Sequence, residues 1–160
     1  MKFIADAMLG RLAKWLRLLG FDTLYFPHIE DSLVMRIARE QDRIILTRDT
    51  RLVKVKGINT YLLLEDNDPF NQLRNVITTF DMLPQLTEKG KITLPAEGRC
   101  SVCNEPLTDV AREKARPHVP EYTYNTCSSF KHCAICGKFY WKGSHHENLR
   151  KKLSELLSLT

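Results

Sequence analysis

Apolar positions along the first 80 residues come in two alternating rhythms. "FIA" at residues 3–5 is a short apolar run closed by Asp6, and it predicts a strand. Residues 8–19, "MLGRLAKWLRLL", place Met8, Leu9, Leu12, Trp15, Leu16 and Leu19 at helical spacing, with Gly20 as the stop. The opposite side of that helix carries Arg11, Lys14 and Arg17, three residues apart and so on one flank. A second strand fits "DTLYF", ended by Pro27. "DSLVMRIAREQ" then reads as a second helix, capped by Asp31 or Ser32. "RIILT" predicts a third strand, "DTRLVKVKG" a short helix ending at Gly57, and "NTYLLL" a fourth strand. "DPFNQLRNVITTF" opens a fourth helix with a proline near its first position.

Strand and helix alternate four times, which predicts an α/β fold: a parallel sheet flanked by helices. The apolar runs are contiguous, as parallel strands covered on both faces require. Residues 81–98, "DMLPQLTEKGKITLPAEG", hold two prolines, two glycines and scattered charge, and mark a boundary. Two units are expected, 1–94 and 95–160.

Ligands of an open parallel sheet bind outside the carboxyl ends of its strands. Asp6 follows the first strand, Asp49 the third, and Asp66 and Asp68 the fourth, while Asp31 lies in the second strand-to-helix connection. Like charges brought together repel unless a cation compensates, so this arrangement points to a divalent ion. Hard oxygen donors favour Mg²⁺ or Mn²⁺, which can activate water against a phosphodiester. Each acid also has a structural reading: Asp31 and Asp49 as helix caps, "EDND" as a solvated turn. Arg11, Lys14 and Arg17 begin one turn after Asp6, and Arg48 and Arg51 flank Asp49, where they would hold a phosphate backbone. Alone, such a basic flank is ordinarily just solvated.

Composition narrows the field. With 43% apolar and 27% charged residues the chain is an ordinary globular one. No apolar stretch approaches the roughly 18 residues of a membrane span, and the charged start makes a poor secretion signal, so a cytoplasmic protein is expected. The net charge of +5 suits an anionic partner. Residues 1–94 carry 14 Lys+Arg against 12 Asp+Glu, and residues 95–160 carry 10 against 7, so the excess is spread as 2 and 3.

All five cysteines lie between residues 100 and 136. "CSVC" and "CAIC" form two CxxC pairs, Cys100 with Cys103 and Cys133 with Cys136, a spacing that predicts a four-thiolate Zn²⁺ site. Such a closed sphere leaves no place for a substrate, so the zinc is structural. Cys127 is left over, as a small buried hydrophobe or a substitute ligand; His118, His132, His145 and His146 are not needed as ligands. Lys and Arg interleave with Tyr122, Tyr124, Phe139, Tyr140 and Trp141, a composition that binds unpaired bases or fills a small core; Trp141 is the candidate for base contact. The tail, "HENLRKKLSELLSL", reads as an amphipathic helix that docks on the first unit or on a second copy of the chain, leaving a homo-oligomer open.

"FIADAMLGRLAKWLRLLGFDTLY", "EDSLVMRIAREQDRIILTRDTRL" and the cysteine module with "YWKGSHHENL" resemble the Mut-seven carboxy-terminal RNase domain family, a PIN-like group with a zinc ribbon. The resemblance covers nearly the whole chain. It implies a PIN-like parallel sheet flanked by helices plus a small C-terminal zinc ribbon, with divalent-metal cleavage of RNA. The family's acidic positions fall on Asp6, Asp31 and Asp49, and a fourth on Asp66 or Asp68. Such sheets also occur in proteins that bind without cutting, so a non-catalytic RNA-binding adaptor is the second reading. A third, a phosphoacceptor with Asp49 as acceptor, is weakened because only one acid, Asp6, adjoins the first strand and a receiver has no need of a zinc ribbon.

Overall fold

The computed structural model describes residues 1–55, 60–88, 91–92 and 98–157, and the backbone alone at 144–146 and 156. Four strands, β1 (Lys2–Ala5), β2 (Asp22–Tyr25), β3 (Ile44–Thr47) and β4 (Tyr61–Leu63), form one sheet in the order β2-β1-β3-β4. Every pairing is parallel: Ile4 faces Leu24 on one side and Ile45 on the other, and Leu46 faces Leu62. The helices between them are α1 (Gly10–Leu18), α2 (Asp31–Gln41) and α3 (Pro69–Thr79). Between β3 and β4 the expected helix shrinks to one 3₁₀ turn at Leu52–Lys54, and Gly57, its expected end, lies outside the described residues.

Side chains of a strand alternate between faces, and two cores follow from that. Phe3, Ala5 and Leu46 point to one face and pack with Leu12 and Leu16 of α1 and Leu73, Val76 and Ile77 of α3. Ile4 and Ile45 point to the other, against Val34 and Ala38 of α2 and Leu52. Both faces are covered, which is why the strands lack the polar-apolar alternation of a half-exposed sheet.

Beyond α3 come a short helix α4 (Leu83–Leu86) and a hairpin of β5 (Thr87–Glu88) and β6 (Lys91–Ile92). The cysteine-bearing ribbon follows: an antiparallel sheet of β7 (Thr108–Val110), β8 (Phe130–His132) and β9 (Phe139–Trp141), with α5 (Arg112–Ala115) and α6 (Glu121–Thr126) between its first two strands. The last helix, α7 (Ser144–Leu156), returns to the first unit, and its Leu149 and Leu153 are buried in the core beneath α1 and α3. The tail thus docks within its own chain. The expected 94/95 boundary lies outside the described residues, and α7 belongs by its packing to the core of the first unit.

The ribbon is fastened to the open edge of β2. An edge strand leaves outward-facing N–H and C=O groups without a ladder. Thr23, fully buried, has both taken up by side chains: its N–H donates to Asn104 Oδ1 at 2.9 Å, and its carbonyl accepts from Arg17 Nε at 2.8 Å. Asn104 Nδ2 also donates to Asp22 Oδ1 at 2.7 Å, and Arg43 grips both oxygens of Asp22 at 2.7 and 3.2 Å. Burial pushes the Asp22 carboxyl up, but the hydrogen bonds from Arg43 and Asn104 outweigh it and hold the group below its ordinary value of 3.8.

A carboxyl whose folded-state pKa is depressed stabilises the fold above its unfolded value and loses that contribution as pH falls through the folded one. Asp22→Asn is therefore expected to cost about 2 kcal/mol at neutral pH, the scale of hydrogen bonds to a charged group. Denaturant unfolding should show the difference from the parent chain shrinking once the pH drops below 3.8.

Candidate functional site

With the strand order β2-β1-β3-β4, chain connections diverge between β1 and β3, the switch point where parallel sheets bind ligands. Asp6 stands there, at the end of β1, its backbone N–H bonded to Leu46 of β3 at 3.0 Å. Its side chain is held on every side. Oδ2 accepts from the Thr47 hydroxyl at 2.5 Å and the Arg48 N–H at 2.8 Å, and Oδ1 accepts from the Met8 N–H at 2.9 Å. Taking the Met8 N–H into this turn also explains why the helix starts at Gly10, two residues later than its apolar period suggests. Asp6 is only 8% exposed.

Asp49 and Asp31 lie on the same rim but are engaged differently. Asp49 accepts from the Arg51 N–H at 2.8 Å and faces its guanidinium at 3.0 Å; this hydrogen bonding to Arg51 holds the carboxyl below the ordinary range. Arg51 is pushed up first by its hydrogen bond to Asp49, and it also feels the charge of Asp31, the first residue of α2. Asp66 and Asp68 act as turn and cap: Asp66 Oδ1 accepts the Asp68 N–H, and Asp68 Oδ1 accepts from Phe70 and Asn71 at the start of α3. Among the described residues no three carboxylates gather; the one group of three or more ligand-type side chains with their ligand atoms within 4.8 Å of one another is the four cysteines. The donor chemistry of the rim nevertheless suits a hard cation. Oδ1 of Asp6 and Oδ2 of Asp49 each carry a single hydrogen bond, which leaves a lone pair on each.

Beside Asp6 opens a cavity of about 420 Å³, walled by Arg11, Lys14 and Arg48 with Tyr25, Asn67 and Gln72. Arg48 donates to Asn67 Oδ1, while its Nε is buried without a partner, alone in this among the described side-chain nitrogens and oxygens. A Cβ at Gly10 would meet the Tyr25 ring at 2.8 Å and displace it, and the Tyr25 hydroxyl donates to the Ala7 carbonyl. Arg17, expected on the basic flank with Arg11 and Lys14, is instead turned inward and 4% exposed. Its Nη1 donates to the carbonyls of Ser101 and Val102 at 2.9 and 3.1 Å. The helical repeat of 3.6 residues accounts for this: three-residue steps drift around the axis, and by the third cation the flank has rotated against the ribbon.

In the ribbon, Cys100 and Cys136 sulfurs lie 3.6 Å apart, and all four cysteines are free thiols. A tetrahedron with arms of about 2.3 Å separates its sulfurs by roughly 3.8 Å, so the cluster could hold a zinc ion. Each CxxC is followed by a residue in the left-handed region, Asn104 at φ 67° and Gly137 at φ 74°, which closes the turn so that backbone N–H groups face sulfur. The Cys103 N–H donates to Cys100 Sγ at 3.3 Å, and Tyr140 Oη lies 3.1 Å from the same sulfur. Burial raises the Cys100 thiol, yet the hydrogen bonds from Tyr140 and the Cys103 and Val102 amides bring it down to about 6. Cys103 is pushed up to about 12, chiefly by its hydrogen bond with Cys136. Burial lowers the Arg17 pKa, opposed by the charge of Cys100 and Cys103, so this guanidinium is the counter-charge of the cluster.

Cys127 stands outside the cluster, its Sγ 3.5 Å from the Lys142 carbonyl. His118 and His132 pack on Phe139 at ring distances of 4.7 and 5.1 Å, and the side chains of His145 and His146 lie outside the described residues. Tyr124 is structural, placed between the guanidinium of Arg112 and the ring of Phe130. Trp141 is half-buried in the wall of a cleft of about 800 Å³ with Tyr122, Lys138 and Lys142.

The parallel sheet, its acid-bearing rim and a four-cysteine ribbon define an α/β domain with a cysteine-rich appendage that could hold a metal ion. The family model described as "Mut7-C RNAse domain" matches residues 1–153, and the chain belongs to that family. No curated protein and no solved structure matches the chain. No helix among the described residues is long and apolar enough to cross a membrane.

Sequence reasoning missed two residues of the site. Nothing in Asn104 signalled its hold on β2 except its place directly after a CxxC, where a left-handed residue is required. Thr47 was read as strand, although a hydroxyl at a strand end beside an acid is a natural donor. Because Arg17 is a buried charge held by the carbonyls of Thr23, Ser101 and Val102, Arg17→Met is expected to cost about 3 kcal/mol. Thermal unfolding checks this, and an unchanged midpoint would contradict the anchoring role.

Proposed function

We propose that the protein is a divalent-metal-dependent ribonuclease that hydrolyses RNA phosphodiesters at the rim around Asp6, with a structural Zn²⁺ on Cys100, Cys103, Cys133 and Cys136. The observation that carries this reading is the pairing of a buried, fixed carboxylate at the switch point with a cationic cavity beside it. Asp6, Asp31 and Asp49 would hold Mg²⁺ or Mn²⁺, with Asp68 as the fourth acid. When bound, such an ion supplies Lewis acidity toward water and phosphoryl oxygens. Arg11, Lys14 and Arg48 line the cavity where a phosphate would sit, and the unpartnered Arg48 Nε is a donor that an anion would satisfy. Thr47 and the Arg48 amide keep the Asp6 carboxylate oriented. Arg51 neutralises Asp49 in the resting chain and is free to move to RNA phosphate once Asp49 turns to a cation.

The Arg51–Asp49 pair also favours a second reading, an RNA-binding adaptor, because an acid already neutralised by arginine has no need of a metal. Divalent-cation dependence separates the two. Incubation of labelled RNAs with and without Mn²⁺ is expected to yield products only with the ion, and Asp6→Asn to lower the rate by on the order of 10² or more. Asp49→Asn, a change at a half-buried position outside the core, is expected to act in the same direction. Full cleavage by both variants would refute the mechanism. For the ribbon, elemental analysis is expected to give one zinc per chain, lost in Cys133→Ser and kept in Cys127→Ser.

A further inference from the structure

The cavity beside Asp6 is the first of three that share walls along one side of α1. A second, of about 670 Å³, again uses Arg11, Lys14 and Pro69 and adds Leu18, Ser101 and Lys152. Leu18 and Ser101 then recur in the wall of the third, the 800 Å³ cleft between the ribbon, α6 and α7. From Arg11 to Leu18 the helix rises about 10 Å, so the three together form a trough longer than that from sheet rim to ribbon.

Its chemistry changes along its length. At the rim end the walls are cationic and polar. Midway, Lys152 Nζ sits 4.2 Å over the Phe70 ring, which itself packs on Trp15. At the far end are Trp141, half-buried, and Tyr122, 79% exposed, between Lys138 and Lys142. The three walls carry six cations (Arg11, Lys14, Arg48, Lys138, Lys142, Lys152) against two carboxylates (Asp68, Glu147). Asp68 is already engaged at the N-terminus of α3.

We propose that this trough is the track of one single strand of RNA, with phosphates on the cations along α1 and unpaired bases stacked against Tyr122 and Trp141 in the ribbon cleft. The inference rests on the RNA-directed reading above and names its substrate class. Aromatic faces that line a cleft stack on bases only when these are unpaired and splayed out, whereas an A-form duplex offers its phosphates and 2′-hydroxyls to shape-reading surfaces. Spacing of the two ends makes the aromatic cleft reachable only by a strand of several nucleotides, in the range of about 4–16 seen at single-strand sites.

The test is equilibrium binding of fluorescent oligonucleotides to the full zinc-loaded chain in buffer without added Mg²⁺ or Mn²⁺. A 12-nucleotide single strand is expected to bind at least about tenfold tighter than a 3-nucleotide one and tighter than a 12-base-pair duplex. Tyr122→Ala, at an exposed position that does not disturb the fold, and Trp141→Ala should each weaken the 12-mer several-fold. Equal affinity for long and short strands, preference for duplex, or insensitivity to both substitutions overturns the proposal, and in the last case the cleft belongs to another kind of partner such as a protein segment. Length-dependent binding with no cleavage on adding Mn²⁺ would reject the nuclease reading while the track stands; cleavage without length dependence would reject the track alone.

Discussion

Two side chains, Arg17 and Asn104, close the open edge of β2 at Thr23, and most of the molecule's arrangement depends on that closure. A peptide group buried at a sheet edge without partners costs on the order of 1–3 kcal/mol for each donor or acceptor. Here one partner comes from the core helix α1 and the other from the first cysteine knuckle. The ribbon is therefore not a freely tethered appendage: the same contacts that satisfy β2 fix its distance and angle to α1. Arg17 carries further consequences, since its guanidinium also lies within the field of the cysteine cluster, with Cys100 the main counter-charge.

This arrangement gives α1 three roles on three sides. Leu12 and Leu16 enter the core, Arg17 anchors the ribbon, and Arg11, Lys14 and Leu18 floor the trough. The return of α7 strengthens the same helix neighbourhood through Leu149 and Leu153 and brings Lys152 to the trough wall. Rim and ribbon are thus parts of one surface, although the sheet and the cysteine module are separate in sequence.

Much of the parallel sheet was legible in the chain, because apolar runs covered on both sides and 3.6-residue periods follow directly from burial. α2 was read over its full span of 31–41, and the two CxxC pairs sufficed to locate the cysteine cluster. What stayed hidden depended on contacts between distant segments. The inward turn of Arg17 requires knowing that the ribbon returns to β2. The single 3₁₀ turn at 52–54 in place of a helix follows from Leu52 having to reach the α2-side core straight after β3. The acids on the rim were placed at strand ends by topology, but sequence could not show that Thr47 and two amides hold Asp6 while Arg51 holds Asp49.

Amide hydrogen exchange on Asn104→Gly against the parent chain tests the edge closure most directly. Glycine keeps the left-handed turn after Cys103 and removes the side-chain amide that covers Thr23 and donates to Asp22. The account predicts exchange at the Thr23 N–H at least about tenfold faster in the variant, the consequence of losing a bond worth on the order of 1.4 kcal/mol. Equal protection of that amide in the two chains would contradict it.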